Sequence, residues 1–439
     1  MFSRLRKRSG ISPFSLTGIL LTLFFLLLAQ YDPPLLHELR LKSFDFFLRH
    51  NPAPLSADHR IIIVDIDSES LEKFGQWPWP RKHIADLLKK ITAAGPAVVA
   101  FDILFAEPDS SSPHLLAGRD ELKNAPATVR KYLQTLPDYD HILAQTLKQS
   151  PVPVVLGYFF TNSTTKKVQR TQRTKEILRQ GSVILHGQDP LPFLFSFNGV
   201  DSGLEIFQQS VRGIGFLNII PDQDSILRNI PLVVRYGGEI YPSMILSVLQ
   251  AASEEKNIEL QTDQNGIRAV QTGGYQIPTN MHGELIINFS GPARTLPYVS
   301  AQAILSDHFD ADMFRDAYVL IGTSAPGLYD IQAVPTDRAF PGVELHGHAL
   351  NTILGQKYFQ RPEWAKGAEL LYICGMSLIL ITVLSRMEAI KGGLLVLFLS
   401  LTMILFSFWC MYHCRLMLDT VYPLAVTWIL FTVLTFYNF

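Results

Sequence analysis

Asp65, Asp67 and Asp102 are the residues whose types and spacing most suggest chemistry, because each falls at or near the end of an apolar run: 60–66 (RIIIVDI) and 97–105 (AVVAFDILF). A third run, 317–322 (AYVLIG), leads into Gly322, Thr323 and Ser324. In open parallel sheets, clefts form beyond the carboxyl ends of the strands, so these acids and the Gly-Thr-Ser turn are expected along one edge. Glycine permits close backbone approach, and hydroxyls and main-chain donors suit a polar ligand. The same acids also fit as helix caps and loop pins, which aspartate serves well. Sequence leaves both roles open.

In Trp77-Pro78-Trp79-Pro80-Arg81, indoles alternate with prolines of fixed φ. The segment is expected to be extended or turning, with Trp77 and Trp79 forming a hydrophobic clamp at the mouth of a helix or presenting faces to a ligand. Arg81 is expected to pair with a nearby carboxylate or cap the loop. His346 and His348 are two residues apart, so on a helix they point in different directions, unlike the i, i+4 histidines of zinc enzymes. A polar cluster at a helix start is the expectation there. The chain has no Gly-x-Ser-x-Gly elbow, no phosphate-cradling Gly-Lys-Ser/Thr loop and no His-Glu-x-x-His. No catalytic residue, metal or cofactor is assigned.

These residues need elements to position them. Residues 83–93 carry apolar side chains at helical spacing, and Gly95-Pro96 ends the helix before the second run, giving a βαβ unit. A helix over 140–149 and a strand over 152–160 (VPVVLGYFF) repeat the pattern. The expectation is an α/β domain, mainly a parallel sheet flanked by helices. From 163 to 189 the chain turns polar and basic (Lys166, Lys167, Arg170, Arg173, Lys175) and reads as a solvated excursion. Runs 215–220 and 229–236 suggest an inserted β-hairpin, with Gly237-Gly238 at a turn, feeding a helix over 242–252. A strand over 284–289, a helix over 300–305, the strand over 317–322 and a helix over 343–354 follow.

Four apolar segments bracket this domain. The first, 14–31, follows Arg4, Arg6, Lys7 and Arg8 and is expected to be an uncleaved anchor with residues 1–13 in the cytoplasm. Segments 368–384, 394–411 and 421–437 each approach spanning length. Arg386, Glu388 and Lys391 lie between the first two of these, and Arg415 and Asp419 between the last two. The basic excess places the first connector inside. The expected organisation is therefore four transmembrane helices around an extracytoplasmic domain at 32–366. The formal net charge of -1 gives no reason to expect nucleic acid as a partner. Cys374, Cys410 and Cys414 all lie in or beside the last spans, so the large domain has no disulfide framework.

Asp67, the Trp77–Arg81 run, Phe101-Asp102-Ile103-Leu104-Phe105 and Asp109 follow one another as in the type-2 CHASE domain, an extracytoplasmic sensor family associated with cyclases and histidine kinases. Asp140 with Leu143-Ala144, Gly322, Ala325-Pro326-Gly327 with Asp330, and Pro341-Gly342-Val343-Glu344-Leu345-His346 resemble further motifs of that family. The resemblance covers most of 35–360, and one preceding and three following spans are its usual frame. It implies a sensor input, with Asp67, Trp77, Trp79, Arg81, Asp102, Gly322, Thr323, Asp330 and His346 as candidate ligand-binding residues.

The resemblance also implies an output module after the last span, whereas only Asn438 and Phe439 follow residue 437. The expected function is a membrane sensor, a homodimer whose extracytoplasmic domain binds a ligand or an envelope protein and whose cytoplasmic output lies elsewhere. An envelope scaffold is the alternative. An exported phosphatase is a third: Ile61 to Asp67 resembles the first motif of haloacid-dehalogenase-like phosphatases, with Asp65 as nucleophile, Asp67 as acid/base and Thr323 on the phosphate. Glu69 stands where that family has a small or hydroxyl residue, and no paired acidic metal motif follows.

Overall fold

The computed structural model describes residues 12–31, 33–56, 60–122, 125–162, 182–253, 255–325, 331–362 and 364–438. The N-terminal basic residues, the basic cluster at 166–175, Pro326, Gly327 and Asp330 lie outside these. The chain forms two units, one of Met1–Asn51 with Phe359–Phe439, the other of Pro52–Tyr358. Helices α1 (Pro13–Leu28) and α2 (Pro34–His50) open the first.

The second unit is built on a sheet of β1 (Ile61–Ile66), β2 (Val98–Phe101), β3 (Val154–Thr161), β4 (Gly199–Asp201), β5 (Gly213–Phe216), β6 (Tyr298–Ser300) and β7 (Tyr318–Thr323). Its order is β6-β1-β7-β2-β3, with β5 and β4 sharing the outer edge of β3. Every pairing is parallel except β3 with β4. Continuous Ile-Ile-Ile-Val runs suit strands covered on both faces. Ile61 and Ile63 enter one apolar core and Ile62, Val64 and Ile66 the other, as a period of two requires.

Helices α3 (Ser68–Phe74), α4 (Arg81–Ala93), α5 (Tyr139–Lys148), α6 (Met244–Ser253), α7 (Ala301–Leu305) and α8 (Gly342–Leu354) complete the three layers. The second core takes Ile84, Leu87, Leu88 and Ile91 of α4 with Leu143 of α5 and Ile304 of α7. The first takes α6 and α8, and all thirteen residues of α8 are buried. Gly322 makes that contact close, for a Cβ there would lie 2.6 Å from Val343 Cβ.

The hairpin expectation needs correction. Residues 213–216 do not pair with 229–236 but add a parallel strand to the central sheet beneath α6, where a Cβ on Gly215 would lie 2.5 Å from the Met244 Cα. The observed hairpin joins Val233–Tyr236 to Glu239–Pro242 through Gly237 (φ 58°) and Gly238 (φ 81°), the backbone a tight two-residue turn demands. A further sheet, Tyr275–Pro278, Gly266–Thr272, Asn257–Asp263 and Ser182–His186, escaped the sequence reading. Its strands are short and mix polar with apolar residues, without the long Ile/Val runs of the central sheet.

In the first unit, α9 (Trp364–Val383), α10 (Ala389–Trp409) and α11 (Val421–Asn438) pack with α1. Two stretches, Trp364–Arg386 and Ala389–Cys414, are long and apolar enough to cross a membrane. The expectation of four spans is thus met in part. The 16 residues of α1 rise only about 24 Å, short of a hydrocarbon core about 30 Å thick, and Val421–Tyr437 is also short. Ser12 and Pro13 start α1 late, and Gln30 and Tyr31 have already left it. α1 runs antiparallel to α9 and α11: Lys366 Nζ reaches Gln30, a Cβ on Gly18 would meet Ile381, and the Phe14 ring meets Tyr437.

Candidate functional site at the sheet edge

The register brings the predicted edge together. Asp65 pairs with Gly322 on one side and Ser300 on the other, Ile66 with Thr323, and Phe101, just before Asp102, with Ile321. Asp65 is 1% exposed. Its Oδ1 accepts the Ser324 N–H (2.9 Å) and its Oδ2 the Ser324 hydroxyl (2.6 Å). Burial pushes the Asp65 carboxyl above the usual range, against the pull of Ser324 and Arg294. A nucleophilic carboxylate needs an open oxygen, whereas both oxygens of Asp65 are engaged and buried.

Asp67 caps α3, accepting the Ser70 N–H (2.9 Å) and the Ser300 hydroxyl (3.0 Å) on Oδ1. Ser70 and Ser300 hydroxyls also accept the Gln302 N–H, so Asp67 stitches the starts of α3 and α7 beside β1. The capping role is the one the geometry displays. Thr323 ends β7 opposite Ile66, half-buried.

Asp102 and His346 meet, Nε2 to Oδ1 at 3.9 Å, both side chains buried. His346 Nδ1 has no hydrogen-bond partner among the described residues, and burial lowers its pKa to about 4. His346 lies in the second turn of α8, facing Asp102 of the sheet edge.

Trp77, Trp79 and Arg81 build a separate cluster. Trp79 is 1% exposed, donates Nε1–H to the Gly75 carbonyl (2.8 Å) and packs edge-on to Phe74, with Trp77 at 6.0 Å. That is the clamp, in which the large aromatic area is spent on the core. The Arg81 N–H donates to Asp109 (2.7 Å), its guanidinium donates to the Glu107 carbonyl (3.3 Å) and lies 4.7 Å over Phe105. Asp140 stands 3.8 Å from Arg81 Nε and accepts the Asp109 N–H. Burial moves both groups toward neutrality, lowering Arg81 and raising Asp140. Arg81 pins the loop after β2 and is itself buried.

Sequence reasoning missed Arg294 and the weight of Glu344. Arg294 lies in Ser290-Gly291-Pro292-Ala293-Arg294-Thr295-Leu296-Pro297, a turn-rich loop just before β6, and a lone cation between turn residues was the available signal. Its Nη2 donates to Ser324 Oγ (3.0 Å) and lies 3.4 Å from Asp65 Oδ2. Glu344, fully buried on α8, accepts the N–H of Arg294 (2.7 Å) and of Leu296 (3.2 Å) and the Tyr298 hydroxyl (2.9 Å). Burial alone would raise the Glu344 carboxyl, but His348 and the two amides together pull it below its usual value. The Ser290 N–H donates to His348 Nδ1 (3.2 Å), and His348 Nε2 stands 3.6 Å from Glu344. Asn351 and Thr352 continue the stripe, accepting the N–H groups of Ser56 and Asn288.

A parallel sheet wrapped on both faces, with polar side chains gathered at its carboxyl edge and tied to one buried helix, defines this unit as a doubly wound α/β domain. The chain belongs to the CHASE2 domain family, whose model matches residues 19–382. CHASE2 is a family of sensor domains. Neither the curated proteins nor the solved structures compared contain a match.

Proposed function

We propose that this chain is the input portion of a membrane receptor, with the α/β unit outside the cytoplasm of a bacterial cell and the carboxyl edge of its sheet as the ligand site. The edge is tied to α8 by Glu344, with His346 packed beside Asp102, and α8 is the last helix before the chain continues into the apolar α9. That connection is the observation that carries the reading. A ligand or envelope protein at the edge biases the position of α8, and the change passes along the chain toward a cytoplasmic output such as a nucleotide cyclase or kinase. The antiparallel course of α1 against α9 and α11 supports a path that enters outside at 32 and returns inside after 437. Homodimerisation supplies the relative motion such signalling uses.

Grafting a cyclase module after Phe439 tests this. The expected result is output that depends on the exported domain and that Asp102→Asn reduces while membrane insertion persists. Constitutive output indifferent to every change in the α/β unit sinks the sensor reading and favours a scaffold. Reporters fix the orientation: cytoplasm-active fusions work at both termini and a periplasm-active fusion near residue 163. Termini on opposite sides would overturn the topology.

A further inference from the structure

We infer that the sheet edge takes a small molecule through a carboxylate group, held by the guanidinium of Arg294. The inference rests on the edge being the domain's ligand site, and adds the chemical class.

Arg294 is held in place before any ligand arrives. Its backbone lies in the left-handed region (φ 66°), uncommon for a residue with a side chain, and the buried Glu344 fixes it there through the main-chain N–H. The guanidinium stacks 4.9 Å over the Tyr298 ring, and Tyr298 in turn donates to Glu344. Fixing backbone and stem in advance removes ordering entropy that binding would otherwise have to overcome.

The fork itself is open. The side chain is 58% exposed, only Nη2 is engaged, and Nε and Nη1 make no hydrogen bond among the described residues. At 3.4 Å the approach to Asp65 is longer than the about 2.7–2.9 Å of a tight charge-assisted bond. Asp65 is saturated by Ser324 and orients the arginine without satisfying it. A structural arginine in the same unit looks different: Arg228 is 4% exposed and makes three bonds of 2.7–3.0 Å to Asp222 and Asp224.

Charge narrows the class. Asp65 is buried and Glu344 fully enclosed, while Asp67 is half-buried with its cap bonds on Oδ1, so among the described residues the guanidinium is the most exposed charge of this cluster and its one cation. A planar monoanion matches a two-pronged donor, whereas a phosphate dianion meets more repulsion from the carboxylates behind.

The test is calorimetric titration of the full chain in lipid nanodiscs with acetate, succinate, benzoate and inorganic phosphate at pH 7.5 and constant ionic strength. At least one carboxylate is expected to saturate one site per chain, with phosphate weaker. Arg294→Gln is expected to weaken it about tenfold or more, and Arg294→Lys also, since an ammonium lacks the fork. Because Glu344 is reached by the main chain, both variants keep the fold, which their melting curves check. No saturation by any of the three carboxylates, Arg294→Gln binding within about twofold of native, or tighter binding of phosphate each overturns the inference. If carboxylates fail while Asp102→Asn still silences the grafted receptor, the ligand class falls and the sensor reading stands. If the graft ignores Asp102→Asn as well, the sensor reading falls too.

Discussion

Glu344, Asp65 and Asp109 in the α/β unit are held chiefly by amides and hydroxyls, Glu369 and Asp419 in the helical unit chiefly by guanidinium groups. Glu344 takes two N–H groups and a phenol, Asp65 an N–H and a hydroxyl, and Asp109 the N–H groups of Arg81 and Ser111. In the helical unit, Glu369 meets Arg361 through two bonds (2.9 and 3.0 Å), and Asp419 faces Arg40 at 3.5 Å. The cause lies in the backbone. An α-helix satisfies its own amides, so an acid among helices finds mostly side-chain donors, whereas the loops at a sheet edge carry orphan N–H groups. Where loops do occur among the helices the first pattern returns: Glu369 accepts the Asp419 N–H (2.7 Å), and Asp419 caps α11. Glu344 and Asp109 in the α/β unit are thus fasteners of main chain, whereas Glu369 and Asp419 among the helices are chiefly partners of charge.

The sharpest way to break that comparison is Glu344→Ala. Three donors lose their acceptor together inside the fold, and denaturant unfolding of the full chain is expected to show a loss of about 3–5 kcal/mol in the α/β transition. Next is the pH dependence of stability. Neutral His346 titrates near 4 in the fold and near 6.5 unfolded, so between those values the unfolded chain binds the extra proton. Stability is expected to fall by up to about 3 kcal/mol as pH drops from 6.5 to 4, and His346→Gln to flatten that slope; an unchanged slope removes His346 as its source. Glu369→Ala is expected to cost less, about 1–2 kcal/mol, because Arg361 is 28% exposed and turns to solvent. Should it equal Glu344→Ala, the distinction between fastening and pairing fails. The smallest effect is Asp67→Ala, about 1 kcal/mol for a lost cap, read from the melting temperature.

Much of this architecture was legible because it rests on long apolar periodicity. The runs 60–66, 97–105 and 317–322 announced three strands of the sheet, the second ending four residues earlier than expected, at Phe101, and the spacing of Ile84, Leu88 and Ile91 announced α4. Asp65 and the Gly322–Ser324 turn could be placed on one edge by topology alone. The fate of each acid could not, since whether Asp67 caps α3 or greets a ligand depends on Ser70 and on Ser300, a residue from a distant element. Arg294, marked in sequence only as a lone cation among turn residues, was hard to weigh for a related reason: its importance comes from Glu344, which reaches its main chain from fifty residues away. The misplaced hairpin had a local cause, since Gly213–Phe216 carries two glycines and no strand signature, and only the close approach of α6 explains them.

The complete burial of α8 sets how that helix is able to move. None of its faces meets solvent, so fraying one turn would uncover core on every side, and its amide hydrogens should be among the last in the α/β unit to exchange with deuterium. Tyr31 and Gln30, exposed beyond the end of α1, stand at the other extreme. A helix that resists local melting transmits displacement as a rod does, by shifting whole.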